Sequence, residues 1–314
     1  MSADALTPAE SALIDHSSHA LAAIGRSIAC RPARHGIHCL HDVAYGPHPA
    51  HRLDAWIPPG PGPHPVAVYA HGGAFRVLSR HTHWMMALSL ARLGFVVYNI
   101  DYRLAPAHPY PAAVEDVLRA WRWVHAHAAS HGGDLSRTVM AGESAGANLS
   151  AAVTLATCWQ RPEPFAAETF AATPPPRRVL AAYGFFQASE TRRYWQDTRH
   201  PWPFRRRIKS AGADYLGAAS TQHRPGWGDL ADPVTYLERQ PPPARPLPPF
   251  FLPVGGRDPL QADSARMQQA LSDLGAEAVV SVYPGQPHGF TALWWTAASR
   301  AFWHDAAAFL APLR

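Results

Sequence analysis

The sequence predicts an α/β protein built on a mostly parallel sheet, and three observations carry that expectation. Short apolar runs alternate along the chain with longer segments of helical periodicity, the signature of parallel strands joined by crossover helices. Apolar residues make up 47% of the 314 positions, ample for a sizeable core. No internal repeat is visible, so the alternation does not reflect a solenoid.

The elements follow in order. Residues 1 to 45 are helix-like and then loop-like. RLDAWIP at 52 to 58 reads as an antiparallel edge strand, and VAVYAH at 66 to 71 as the first parallel one. Helical patterning over 83 to 93 leads to the strand FVVYNID at 95 to 101. Residues 110 to 131 form the next helix, before the strand TVMAG at 138 to 142 and a small-residue helix at 145 to 158. VLAAYGFF at 179 to 186 is the following strand. FFLPVGG at 250 to 256, a helix over 261 to 274, AVVSVY at 278 to 283 and a closing helix over 294 to 312 complete the pattern.

Residues 187 to 249 break the alternation. They are rich in Arg, Pro and aromatics, among them Tyr194, Trp195, Trp202, Phe204, Tyr215 and Trp227. A connection this long within a compact domain is usually a lid or binding insertion, and linkers rarely carry so many aromatics. We therefore expect a core of residues 46 to 186 and 250 to 314. The 1 to 45 segment and the 187 to 249 insertion would form a cap over the C-terminal edge of the sheet, where open α/β folds bind ligands.

Composition narrows the function classes. Charged residues are only 16% of the chain, and its 32 prolines are about twice the usual share, so the loops are stiff. The net charge of +5 permits an acidic partner, but the basic residues are scattered except for RRRIK at 205 to 209. That run has no stacking platform behind it, and nucleic acid is not expected. Cys30, Cys39 and Cys158 form no CxxC pair and no disulfide framework. LAAIG at 21 to 25 is too short for a secretory signal, and no apolar run reaches the ~20 residues that span a bilayer. The expectation is a soluble cytoplasmic protein without membrane insertion. His35, His38, Cys39 and His41 crowd together in HGIHCLH, yet no second ligand cluster at zinc spacing accompanies them. A polar loop is expected there, and no metal.

The chemistry concentrates at GESAG, residues 142 to 146. A serine on a sharp strand-to-helix turn exposes its hydroxyl, and bulky neighbours two residues away on either side would collide across the turn. Gly142 and Gly146 remove that collision. The segment resembles the nucleophile elbow of α/β-hydrolases. A serine hydroxyl needs a general base, and the base needs an orienting acid; in those enzymes they follow in the order Ser, Asp or Glu, His. Beyond FFLPVGGRD only His288 and His304 remain. His304 falls in the closing helical pattern, whereas His288 lies in a loop just after a strand, so His288 is the expected base. Asp258 ends a strongly apolar strand and is the expected acid, with Asp263 as the alternative. Negative charge on a tetrahedral intermediate requires backbone donors. HGGAF at 71 to 75 supplies small residues after a strand, to act with the N–H of Ala145.

Taken together, HGGAF, DYRLAPAHPYPAAVED, GESAG, GGRDPL and HGF, in that order, resemble the hormone-sensitive-lipase-like family of α/β-hydrolases, the bacterial family IV carboxylesterases. The resemblance covers roughly residues 40 to 314. It implies an α/β-hydrolase fold, a catalytic set of Ser144, Asp258 and His288, and an oxyanion hole of Gly73, Ala74 and Ala145, with His71, Gly72 and Glu143 as supporting motif residues. The sequence departs from the family at Ala74 in place of a third glycine, at Glu143 in place of an aspartate, and at Ala107 in place of a glutamate. In relatives the DYRLAPAHPYP stretch is structural, with Arg103 and Asp116 paired. The expected activity is hydrolysis of short- to medium-chain acyl esters through an acyl-enzyme, with no cofactor and a small-molecule ester as partner. An amidase, an acyltransferase or a longer-chain lipase would use the same three residues. A non-enzymatic receptor on this fold is disfavoured because His288 is retained. A homodimer is left open.

Overall fold

The computed structural model describes residues 31–195, 202–217, 226 and 228–314, together with residues 10, 12, 13, 15–20 and 23 near the N-terminus. Its centre is an eight-stranded sheet made of β1 (His38–Ala44), β2 (Arg52–Ile57), β3 (His64–Ala70), β4 (Val96–Ile100), β5 (Gly133–Glu143), β6 (Arg178–Ala182), β7 (Phe250–Gly255) and β8 (Ala278–Tyr283). Their spatial order is β1-β2-β4-β3-β5-β6-β7-β8. β2 runs antiparallel to both β1 and β4, and every other neighbouring pair is parallel.

Alternation along the central strands sends successive side chains to opposite faces. Val66, Val68, Ala70, Val96, Tyr98 and Ile100 enter one core, while Ala67, Tyr69, Phe95 and Val97 enter the other. The first core is covered by α2 (Ala112–His127), α3 (Ala145–Cys158) and α8 (Gln261–Asp273); the second by α1 (Trp84–Arg92) and α9 (Ala297–Leu310). Between α3 and α8 along the chain come α4 (Pro164–Ala172), α5 (Arg192–Trp195), α6 (Trp202–Leu216) and α7 (Pro233–Glu238), all four contributing buried residues to the first core. Every residue of α3 is buried, which fits its alanine-rich composition, since a helix packed on all sides leaves room mostly for small side chains with a few larger apolar ones such as Leu149 and Leu155. Its last residue, Cys158, points its thiol at the Pro246 carbonyl, and burial pushes the thiol up to about 12.

Four expectations change. RLDAWIP forms β2 but is not the edge strand, because β1 pairs along its outer side and β4 along its inner one. HGIHCLH does not form a polar loop: residues 38–44 are β1, paired along β2, so this part of the expected cap segment belongs to the sheet. His41 there lies 3.3 Å from the Asp54 carboxylate. The strand expected to reach 186 ends at Ala182, because Tyr183 turns the chain with φ +37°. Residues 164–172, between expected elements, form α4, capped by proline at its first turn. The other elements match within a few residues, and α3 over 145–158 matches at both ends.

The topology selects the site. β4 lies on one side of β3 and β5 on the other, so the winding reverses between β3 and β5, and the crevice beyond their C-terminal ends is the place for a ligand. Those two strands run out at Ala70 and Glu143, immediately before His71 and Ser144. No helix among the described residues is long and apolar enough to cross a membrane.

Candidate active site

Ser144 stands between β5 and α3 with φ +53° and ψ −114°, a conformation that costs a non-glycine residue about 1–3 kcal/mol. Its surroundings impose it. The Ser144 N–H donates to the Ala182 carbonyl at 2.9 Å, and the Ser144 carbonyl accepts from Phe185 and Asn148, each at 3.2 Å. The glycines make the turn possible at backbone distance: a Cβ on Gly142 would lie 2.3 Å from the Gly146 carbonyl oxygen, and one on Gly146 would lie 2.0 Å from that of Ala70.

His288 and Asp258 come from the loops after β8 and β7. Arg257 N–H donates to the Gln286 carbonyl at 2.9 Å and Gly256 N–H to that of Tyr283 at 2.8 Å, so the two loops are stitched together. The His288 imidazole lies with Nε2 3.0 Å from Ser144 Oγ and Nδ1 2.9 Å from Asp258 Oδ2. Asp258 is buried and also accepts from the Leu260 N–H at 2.8 Å, which fixes the carboxylate plane. The three expected residues are thus brought together in the hydrogen-bonded order that lets an imidazole take a serine proton while a carboxylate orients it. The alternatives are engaged elsewhere. Asp263 accepts from Phe186 N–H at 3.1 Å, from Arg193 at 2.8 Å and from the Tyr194 hydroxyl, and His304 sits beside Asp305 on the outside of α9.

The HGGAF segment leaves β3 as a strained loop. Gly73 has φ +120°, and Ala74, Phe75 and Leu78 have φ +56°, +61° and +74°. Gly73 cannot carry a side chain, since a Cβ there would lie 1.9 Å from the Val77 carbonyl oxygen. Gly73, Ala74, Ser144 and His288 border one cavity of about 280 Å³. Ala145 opens α3, so its N–H belongs to the first turn, whose donors have no partner within the helix. His71 lies beneath the loop, its Nδ1 2.6 Å from the Gly72 carbonyl; burial drops its pKa to about 3, so it stays neutral.

Glu143 forms a network that sequence reasoning did not foresee. Its carboxylate accepts from His83 Nε2 at 2.7 Å, from Gly72 N–H at 3.2 Å and from the Tyr183 hydroxyl, which also meets Thr291. Burial works to raise its pKa, but His83 and the hydroxyl donor outweigh it and hold the group at about 2. His83 is raised in turn, because the Glu143 charge overcomes the desolvation that would lower it. The remaining cavity wall, Leu78, Thr82, Met85, Met86, Ile208 and Ala292, is largely apolar. Nothing in the sequence marked these residues: their meeting depends on how α1, α6 and the 288–292 loop pack. Arg103 pairs with Asp116 at 2.7 Å below the site, as the resemblance implied. Among the described residues no group of three or more His, Cys, Asp or Glu is arranged to hold a metal ion.

Comparison with known proteins agrees with this architecture. A family model described as the α/β hydrolase fold matches residues 67–292. Carboxylesterase NlhH of Mycobacterium tuberculosis is 49% identical over 88 residues, 28% of this chain and 28% of its own length. Esterase LipI of Mycobacterium tuberculosis is 29% identical over 246 residues, covering 72% of this chain and 65% of its own. The chain therefore spans less than two thirds of the length of these curated relatives. Among solved structures, an esterase from the bacterial hormone-sensitive lipase family superposes with a TM-score of 0.67 at 26% identity, covering 87% of this chain and 84% of that one. With the family model matching well over half the sequence, and with the strand order and the elbow arranged as described, the chain belongs to the α/β-hydrolase fold family, in its hormone-sensitive-lipase-like branch.

Proposed function

We propose that the protein is a serine carboxylesterase acting on short- to medium-chain acyl esters. The observation that carries this is the contact series Ser144–His288–Asp258 at the mouth of an apolar cavity bordered by the glycine-rich loop. The names of the relatives, a carboxylesterase and two esterases, support the same reaction class.

In this proposal Ser144 Oγ attacks the ester carbonyl carbon while His288 Nε2 takes its proton. Asp258 keeps the other imidazole nitrogen protonated and stabilises the imidazolium that forms. The carbonyl oxygen, now negative, is held by the N–H groups of Gly73, Ala74 and Ala145. Collapse expels the alcohol, which takes the proton from His288. Water activated by the same imidazole then releases the acid. The N-terminal segment ahead of β1 and the 187–249 insertion act as a cap, and Ile208 of α6, within that insertion, already borders the cavity.

The family resemblance implies acyl chains of about two to eight carbons, and a cavity near 280 Å³, just below the roughly 300–1,000 Å³ that buries a drug-sized ligand, supports a small substrate. Two measurements test the proposal. Initial rates on p-nitrophenyl esters of increasing chain length should peak in that range, and Ser144→Ala should lose turnover by about 10⁴-fold or more with the fold intact. Labelling of a residue other than Ser144 by a fluorophosphonate, or preference for emulsified long-chain triglycerides, would overturn it.

A further inference from the structure

The loop that carries the expected oxyanion donors is not held by the sheet alone. Three of its non-glycine residues, Ala74, Phe75 and Leu78, sit at positive φ, and such conformations persist only where the surroundings over-determine them. Within the loop, Arg76 and Val77 donate to the Gly73 carbonyl at 3.0 and 3.2 Å; from outside it, Glu143 accepts from Gly72 N–H at 3.2 Å, Asp15 Oδ1 accepts from Leu78 N–H at 2.7 Å, and Ala105 N–H donates to Phe75 O at 2.8 Å. The insertion helix α6 supplies further restraint. The Phe75 ring stacks on Tyr215 with centroids 3.7 Å apart and planes 5° from parallel. Next to it, Arg76 reaches Asp214 at 2.7 Å and Ser210 Oγ at 2.8 Å. Consecutive loop residues thus grip consecutive helix residues, and the Arg76 side chain is only 9% exposed.

We propose that the Arg76–Asp214 ion pair, with the Phe75–Tyr215 stack beside it, positions the oxyanion loop, making α6 part of the apparatus that sets transition-state geometry as well as a wall of the cavity. The inference rests on the esterase reading. None of the four touches the reacting atoms; they are positioning residues that act through Phe75 and Arg76, which lie one to three positions from Gly73 and Ala74 in the loop. An exposed ion pair would contribute little, but this one is largely enclosed and is anchored to the same helix turn as the stack. Loss of the pair frees the loop to shift by a fraction of an ångström. Misplacement by about 1 Å costs on the order of 10²-fold in rate, and loss of one oxyanion donor costs 10²–10³-fold.

The test compares the wild type with Asp214→Asn, Arg76→Met, Arg76→Lys and the double variant Arg76→Met/Asp214→Asn. We expect kcat on p-nitrophenyl butyrate to fall about 10- to 100-fold in the two charge-removing single variants. KM should stay within about twofold, and Arg76→Lys should restore part of kcat. A trifluoromethyl ketone, whose tetrahedral adduct needs the oxyanion donors, should bind more weakly by the same factor. The corresponding secondary alcohol fills the cavity without that demand and should bind unchanged. The double variant should be no slower than either single one. Unchanged kcat in Asp214→Asn, equal weakening of ketone and alcohol, or additive losses in the double variant would each overturn the proposal. Wild-type protein without ester turnover would instead remove the esterase reading; hydrogen exchange at the amides of residues 73–79, faster in Asp214→Asn if the pair holds the loop and unchanged if it does not, would still decide the positioning role.

Discussion

The carboxylate of Glu143 stands one position before Ser144 and receives hydrogen bonds from a histidine, a backbone amide and a phenol at once. That makes its stability contribution pH-dependent, with opposite signs at the two limits. Glu143 is held at about 2, below its ordinary value of 4.5, so its contribution is present above 4.5 and fades as pH falls toward 2. His83 is held above its ordinary 6.5, so its contribution is complete below 6.5 and fades as pH rises through the raised value. The interaction therefore acts in full between those two ordinary values. Glu143→Gln should lower stability by on the order of 3 kcal/mol there, and the deficit should shrink in melts at pH 3 and again as pH rises through the raised His83 value; a deficit independent of pH would contradict the pair. Ala74 tests steric fit. Relief of its left-handed backbone, about 1–2 kcal/mol, outweighs the roughly 0.5–1 kcal/mol entropic cost of glycine. Ala74→Gly should therefore not lower Tm. Because Ala74 borders the cavity, losing its methyl should favour tert-butyl acetate over ethyl acetate by about 10- to 200-fold in kcat/KM. Equal changes for the two esters would place Ala74 away from the alcohol side.

Leu78 ends the strained part of the loop between β3 and α1, and it borders two cavities. One is the cavity at Ser144; the other, about 400 Å³, lies among His48, Tyr102, Arg103 and His108. Leu78→Ala should join them and extend the space open to an acyl chain, raising kcat/KM about fourfold for each methylene newly accommodated, from ~0.8 kcal/mol per buried CH₂. An unchanged chain-length profile would show that the two spaces stay separate. At this scale it also becomes plain what a sequence can reveal. Residues at strand ends were legible because strong apolar runs and glycines fix where β5, β7 and β8 stop, and Ser144, Asp258 and His288 follow within a few positions. β1 was not legible: His38, Cys39, His41 and Asp42 give an edge strand with mostly exposed or half-exposed positions, so it lacks the apolar alternation of a core strand. Nor were His83, Arg76 or Asp214, whose partners lie 60, 138 and 138 positions away along the chain and meet them only through packing.

Across the whole molecule, the sheet keeps two cores apart while helix α3 links the chemistry to the larger one. The mostly parallel sheet and the pairing of Arg103 with Asp116 were readable in advance, the first from alternation and the second from the resemblance, whereas the strand order was not. The course of the insertion was not, because its arginines and prolines carry no clear period; residues 196–201, 218–225 and 227 of it, including the expected aromatic Trp227, lie outside the described residues. The burial of Cys158 turns the protein into its own clock. Its thiol closes the helix that begins beside Ser144, is fully buried against the Pro246 carbonyl, and is kept un-ionised by burial. A disulfide reagent can reach it only when the large core opens, whereas Cys39 on the edge strand is half-exposed already. In a Cys30→Ser/Cys39→Ser background, the rate at which Cys158 reacts should follow global unfolding, with the same denaturant dependence as the equilibrium transition. Reaction at a denaturant-independent rate would mean that the elbow helix breathes on its own, and the serine turn would then be rebuilt many times within the life of one folded molecule.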